Sequence, residues 1–286
     1  MLNGAIDLHL HSTVSDGTDT PVELLERVRE AGIRWFALTD HDAVKGCGVI
    51  RGALGADDPR FLNGVEFSCR DDDGKYHILG YGFDPDSPSV QRLVEAGHSI
   101  RMNKVAARLD FLRTAFGFTF PDDEIRDLLS LDNPGKPHIG NLMVKYGYAP
   151  SKEAAIDEYI DRAKIRSGSI RPEEAIQGIL QGGGIPVLAH PAFGSGSELI
   201  LGDAMDRRLR RLIDMGLQGV EAFYSGFSPM LQNEILALAE KYRLYVTAGS
   251  DYHGSNKLVT IGDTNLDSAS AMPEGLMRFL EEAGRA

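Results

Sequence analysis

DLHLHSTVSDG, residues 7–17, places His9 and His11 two positions apart in a short apolar run that ends in a turn. Side chains on a strand alternate faces, so both imidazoles point the same way. One such histidine is commonly a core or surface residue. Two on one face, followed in the next loop by Asp16, begin a metal-ligand set.

Working outward, 5–11 reads as a buried strand. Thr20, Pro21 and Glu23 supply a cap, a first-turn proline and a capping-box acid for a helix over 21–32. Further strands are expected at 35–41, 61–68, 76–83, 185–191, 219–224 and 244–251, with helices at 203–215, 229–242 and 273–283. Alternating strands and helices imply parallel strands covered by helices, and seven strands come close to a closed barrel. The unusual polar residues His11, His41, Glu66, His190 and Asp251 fall at or after strand ends, the end that carries active sites in (β/α) barrels. His77 lies near the start of its strand. It joins the others only if that strand runs antiparallel to its predecessor. Residues 88–183 are mainly helical and hold no convincing strand. They read as a helical cap inserted into a barrel made of 1–87 and 184–286.

Composition is that of a soluble globular chain: 286 residues, 42% hydrophobic and 25% charged. The formal charge of −12 argues against a broad nucleic-acid or membrane-surface face. The N-terminus lacks the basic start of a signal peptide, and no apolar run has the length of a membrane span. Cys47 and Cys69 form no CxxC pair and read as reduced cysteines of a cytoplasmic protein.

The candidates, in order, are His9, His11, Asp16, His41, Glu66, His77, His190, Asp251 and His253. Imidazole suits Zn, Mn or Fe, and carboxylates can bridge ions. Nine are too many for one ion and suit two or three. At these residues the sequence resembles the PHP family, named for polymerase and histidinol phosphatase. HLH with Asp16, TDH at 39–41, Glu66 in GVE, His77, His190 in AHP and SDYH at 250–253 match its motifs in order, over roughly 5–83 and 185–265.

The resemblance implies a distorted (β/α)7 barrel with a trinuclear metal centre. It assigns His9, His11, Glu66 and Asp251 to a first ion, and Asp16, His41 and His253 to a second. Glu66, His77 and His190 would hold a third, with Glu66 bridging. Mn2+ leads, with Fe2+ or Zn2+ alternatives. Three divalent ions outweigh three carboxylates, so the site suits a phosphate dianion. A bridging water would ionise near neutral pH and attack phosphorus as hydroxide. Asp16, His190 and His253 are the catalytic candidates.

Around this set, Asp40 and Asp42 read as residues that orient histidines. His98 reads as part of a solvated helix face, while Arg101 and Lys104 are placed to point from the cap at a substrate phosphate. His138 lies in NPGKPHIGN, 133–141. The relatives that this chain resembles most carry a version close to RPHxxR. Lys136 and Asn141 replace its arginines, which puts a nucleotide-type substrate in question because asparagine cannot fork onto phosphate. Lys136 and His138 are read as phosphate contacts. The glycines of QGGGIP (181–186) read as a helix end. GSGS (194–197) reads as a loop or lid, and Phe223 and Tyr224 as pocket walls.

The leading expectation is a metal-dependent phosphoesterase. Its substrate would be a small phosphorylated ribose or nucleotide, either a cyclic phosphodiester such as a 5-phosphoribose cyclic phosphate or a bisphosphate. Alternatives are a nucleoside 3′,5′-bisphosphate phosphatase or a 5′-end oligonucleotide exonuclease. An amidohydrolase-type enzyme would want a bridging lysine at a strand end, and none is evident. A non-catalytic, metal-stabilised domain is the remaining class. Neither a membrane nor a long nucleic acid is an expected partner.

Overall fold

The computed structural model describes residues 6–165, 168–193, 199–266 and 272–285. Seven strands lie in the order β1 to β7: Ile6–Leu10, Trp35–Leu38, Arg60–Asp71, Gly74–Tyr81, Ile185–Leu188, Gly219–Tyr224 and Tyr245–Gly249. β1, β2 and β3 pair in parallel, as do β5, β6 and β7. β4 is antiparallel to both β3 and β5. The barrel closes through Asp251 N–H to His9 O and His11 N–H to Tyr252 O, both 2.9 Å, just beyond the end of β7. This is the distorted seven-stranded α/β barrel that the resemblance implies, with the seven strands that the pattern predicted.

The reversal at β4 carries His77 to the ligand end. His77 stands opposite Ser68 in register, two positions from Glu66 on the same face of β3. β3 is longer than the strand expected over 61–68, and β4 starts and ends two residues before the strand expected over 76–83. By contrast, the strands expected over 35–41 and 185–191 stop at Leu38 and Leu188. The residues beyond them leave the sheet: Asp42 (φ 51°), His190 (φ 26°) and Asp251 (φ 58°) all adopt left-handed backbone. Such conformations are costly for non-glycine residues and concentrate at functional loops.

Local signals explain the helices. Thr20 caps α1 (Pro21–Glu30) by accepting from Glu23 N–H, and Glu23 Oε2 accepts from Thr20 N–H at 2.8 Å. Helix α2 (Lys45–Ala53) was not expected: Gly46, Gly48 and Gly52 weaken its pattern, and no side chain caps it. Gly46 is required there, because a Cβ would meet Leu38 and come within 2.9 Å of Asp40. The triple glycine ends a helix as read: Gly182 follows α7 (Pro172–Gln181) and Gly183 takes φ 79°.

Between β4 and β5 lie α3 (Pro88–Phe116), α4 (Asp122–Ser130), α5 (Lys136–Lys145), α6 (Lys152–Glu158) and α7. Val105, Leu112, Leu128, Ile139, Met143 and Ile160 build a core of their own. Val90 and Leu93 at the start of α3, and Ile176 and Ile179 of α7, instead join the barrel core. The barrel is completed by α8 (Gly202–Asp214), α9 (Pro229–Lys241) and α10 (Glu274–Ala283). GSGS lies outside the described residues. Among them, no helix is long and apolar enough to cross a membrane.

Candidate metal centre

The nine candidate ligands come from six strand ends and their loops, and they meet in one cleft. Glu66, wholly buried on β3, is at its centre. Its Oε2 lies 3.3 Å from His9 Nε2, 3.2 Å from His11 Nε2 and 3.1 Å from His41 Nδ1. Its Oε1 lies 2.8 Å from His77 Nδ1 and 3.2 Å from His190 Nε2. The carboxylate is thus shared between two groups of imidazoles. Asp251 Oδ1 is 3.6 Å from His9 Nε2 and 3.5 Å from His11 Nε2. Asp16 Oδ1 is 3.3 Å from His253 Nε2 and 3.8 Å from His41 Nε2.

Three sets of donor atoms each converge to within 4.8 Å: His9, His11 and Asp251; His11, Asp16, His41 and His253; and His41, Glu66 and His77. His11 and His41 thus sit between sets that the resemblance keeps apart. His190 reaches the third set through Glu66 and through His77 Nδ1, 3.3 Å from its Nε2.

The chemistry of this set fits metal ions. His9 Nε2, His11 Nε2, His41 Nδ1 and Asp16 Oδ1 are buried without a hydrogen-bond partner. Leaving such atoms unpaired in a core is costly, and cations satisfy them together. Electrostatics agree. Burial works to raise Glu66, but His77, His41 and His9 hold it well below the usual carboxylate range. Asp16 and Asp251 are likewise held down by neighbouring imidazoles against burial. Burial pushes His41 well down. It also opposes the charge on His11, yet Asp251 and Glu66 carry that ring up to about 9.

A pH dependence follows. Metal ligation needs neutral imidazole, and His11 holds its proton below about pH 9 in the metal-free chain. Metal affinity is therefore expected to rise with pH between 6 and 8, about tenfold per unit for each proton displaced. Calorimetry in buffers of different ionisation heat reads the released protons. A pH-independent affinity with no proton release contradicts the coupling.

Outside the ligands, buried groups fix their orientation. Asp40 accepts from Ser12 N–H (2.8 Å), Ser12 Oγ (2.7 Å) and Ser15 Oγ (2.7 Å), and so braces the loop after His11. Asp42 accepts from Ser68 N–H at 2.9 Å and pairs with Arg101 at 2.8 Å. The residue that sequence reading missed is Glu221 on β6. Its Oε1 lies 2.9 Å from His9 Nδ1, and its Oε2 accepts His190 N–H at 2.8 Å. The signal was present: GVEAFY is an apolar strand with one acid inside it. Asn133, also missed, donates from Nδ2 to His41 O and ties the cap to a ligand.

The far oxygen of Asp251, Oδ2, accepts from Tyr224 OH at 2.9 Å and pairs with Lys257. Lys257 is a lysine near the site, but it is not the bridging strand-end lysine of an amidohydrolase-type enzyme. It lies on the side of Asp251 away from His9 and His11, and the bridging place belongs to Glu66. Tyr224 is a pocket wall with a polar role, its ring 5.6 Å from that of His190, whereas Phe223 is wholly buried in the core.

The candidate substrate contacts take distinct places. Arg101 is anchored by Asp42 and by Ser68 Oγ at 3.3 Å. Lys104, half-buried one turn further on, forms no ion pair among the described residues. Lys136 pairs with Asp161. His138 Nδ1 accepts Gly135 N–H at 3.0 Å, which puts the proton of the neutral ring on Nε2. Burial lowers His138, opposed by nearby Asp16. His98 is exposed, with Nδ1 2.8 Å from Asp132 O, and Asn141 is exposed.

Comparison with known proteins agrees with this geometry. Residues 7–131 match the PHP domain. A 3′,5′-nucleoside bisphosphate phosphatase of Chromobacterium violaceum is 30% identical, over 87% of this chain and 87% of that protein. A phosphoribosyl 1,2-cyclic phosphate 1,2-diphosphodiesterase of Eggerthella lenta is also 30% identical, over 87% of this chain and 94% of its own length. Among solved structures, an amidohydrolase of Chromobacterium violaceum with bound sulfate is similar at a TM-score of 0.83 and 26% identity, covering 98% of this chain and 96% of that one. Similarity along nearly its whole length, on a barrel that gathers every motif histidine into one cleft, makes this chain a member of the PHP family.

Proposed function

We infer that the protein is a metal-dependent phosphoesterase acting on a small phosphorylated ribose or nucleotide, either a bisphosphate or a ribose cyclic phosphate. The observation that carries the reading is Glu66, whose two oxygens face separate imidazole groups in a cleft ringed by nine ligand-type side chains. His9, His11, Glu66 and Asp251, then Asp16, His41 and His253, then Glu66, His77 and His190 would hold three divalent ions, Mn2+ foremost and Fe2+ or Zn2+ as alternatives. When bound, the ions supply Lewis acidity at the phosphoryl oxygens and a water acidic enough to attack phosphorus.

The chain's own residues do the rest. Arg101, Lys104 and Lys136 counter the phosphate charge, and His138 donates from Nε2. Glu221, Asp40 and the Tyr224–Lys257 pair keep the ligands oriented, so little reorganisation is needed during reaction. Water adds to phosphorus, an ester P–O bond breaks, and the alcohol leaves with a proton; a bisphosphate frees inorganic phosphate in one such step, and a cyclic diester in two, through a ring-opened monoester. His190 and His253, both partly exposed, are placed to pass that proton. With both cysteines free and buried, the chain suits a reducing compartment such as the cytoplasm.

The test is release of inorganic phosphate after reconstitution with manganese. The panel holds histidinol phosphate, nucleoside 3′,5′-bisphosphates, short oligonucleotides and 5-phosphoribose cyclic phosphates. Release from a phosphorylated ribose or nucleotide is expected. Hydrolysis of amides or lactones without phosphate release would replace this reading with C–N or lactone chemistry. Metal binding with no hydrolysis at all would indicate a structural role.

A further inference from the structure

Helix α6 starts after Ser151, whose Oγ accepts from Ala154 N–H at 3.1 Å. It is pressed against α5. A Cβ at Gly140 of α5 would come within 3.2 Å of Lys152 Cγ and 3.3 Å of the Lys152 carbonyl oxygen, so glycine is what lets the two helices approach. Ile139, Met143 and Ala155 hold this pair in a core separate from that of the barrel. Lys152 is thereby fixed at the edge of the inserted helices, with 15% of its side chain exposed. Its ammonium crosses to the barrel. Nζ donates to Asn256 O at 2.6 Å and to Asn256 Oδ1 at 3.3 Å.

Asn256 ends a single helical turn, Gly254–Asn256, that follows His253 directly. This turn rests on the loop after β1. Ser255 N–H donates to Thr18 Oγ1 at 2.9 Å, and a Cβ at Gly254 would lie 1.9 Å from the same oxygen. Asn256 Nδ2 in turn donates to Asp16 O at 2.8 Å. An ammonium can only donate, so Lys152 selects the oxygen of the Asn256 amide and leaves its nitrogen facing Asp16. The relay from Lys152 through Asn256 to Asp16 thus matches each donor to an acceptor. A second contact of this kind holds His41, whose carbonyl accepts from buried Asn133 in the segment between α4 and α5. Asp16, His41 and His253 share one donor set with His11. His9 and Asp251, by contrast, are braced from the barrel itself, by Glu221 and Tyr224.

We propose that Lys152 and Asn256 are positioning residues for Asp16, and that an ion at the His11, Asp16, His41 and His253 set is bound tightly only when α5 and α6 are docked on the barrel. The two events are then linked: docking tightens the ion, and the ion tightens docking by the same factor. This rests on the metal-centre reading and is independent of any choice of substrate. The first turn of α3 and α7 are rooted in the barrel core. The contacts of Lys152 and Asn133 with the barrel are polar, so they open without breaking either core, which is the character of a local opening.

The experiment titrates the full-length, metal-free protein with manganese by calorimetry and follows amide hydrogen exchange in α5 and α6 with and without the ion. In the wild type, loading is expected to slow exchange in both helices. Lys152→Met keeps the apolar stem and removes the donors; Asn256→Ala removes the amide. Each should weaken one class of manganese site by about 10- to 100-fold, the usual effect of losing a group that orients a ligand. The other sites should be unchanged, and the manganese-induced protection of α5 and α6 should vanish. Lys152→Arg still donates and should recover part of both. The double variant should bind no more weakly than the weaker single one, because the two residues act in series. Thermal melting of the metal-free variants checks that they fold. Wild-type affinity and protection in both single variants, additive losses in the double one, or an equal weakening of every site overturns the proposal. If the wild type binds no manganese, the metal-centre reading fails separately. Exchange over residues 12–18 of the metal-free chain then decides: faster exchange in both variants supports the positioning of Asp16, and unaltered exchange overturns it.

Discussion

Asp16→Asn is expected to lower phosphate release by about a thousandfold or more while leaving the fold intact. Loss of one ion's contribution removes several kcal/mol of transition-state stabilisation. The substitution keeps the shape of the side chain. It also keeps the backbone carbonyl that accepts from Asn256 Nδ2 at 2.8 Å, so the loop after β1 stays anchored. What changes is the charge between His41 and His253. Elemental analysis should find fewer ions per chain than in the wild type, with an unchanged circular dichroism spectrum. Full activity with all metals bound would remove Asp16 from the catalytic set.

The second large effect is expected at Glu221, which touches neither solvent nor substrate. Glu221→Ala leaves His9 Nδ1 and the His190 amide buried and unpaired, and breaking a buried charged pair typically costs about 3–5 kcal/mol. Glu221→Gln keeps the volume, but its NH2 cannot accept where a carboxylate oxygen did. Metal affinity should fall about 10- to 100-fold, the usual effect of losing a carboxylate behind a ligating histidine. Gly249→Ala should mimic the alanine variant from the other side: its Cβ would overlap His9 Cβ and sit 2.5 Å from Glu221 Oε1. Denaturant unfolding and metal titration separate the two effects. Wild-type metal affinity in Glu221→Gln would show that the carboxylate does not orient His9.

These two residues mark what the sequence made legible and what it did not. Strand parity placed His9 and His11 on one face, and Thr20, Pro21 and Glu23 announced the first helix, because both signals are local. The barrel and the antiparallel β4 followed from the order of elements and the need to bring His77 to the ligand end. Glu221 acts across the barrel and Asn133 from the cap, and nothing near them in the chain shows their partners. Lys257 reaches Asp251 from six residues on, past a left-handed turn at Asp251 itself, which no spacing rule foresees. The same holds for His41, which stands between Asp16 and Glu66 as the chain turns at Asp42. The donor sets that the fold builds overlap, with His11 and His41 each in two of them, and that sharing is not visible from the spacing of the motifs.

The most direct measurement is a manganese titration of metal-free protein, with bound ions and released phosphate counted in the same samples. The substrate is adenosine 3′,5′-bisphosphate or a 5-phosphoribose cyclic phosphate. The cluster predicts that activity is absent without metal and appears only as more than one ion per chain is bound. Full activity with one ion or none, or a fully loaded chain that releases no phosphate from either ester, would contradict it.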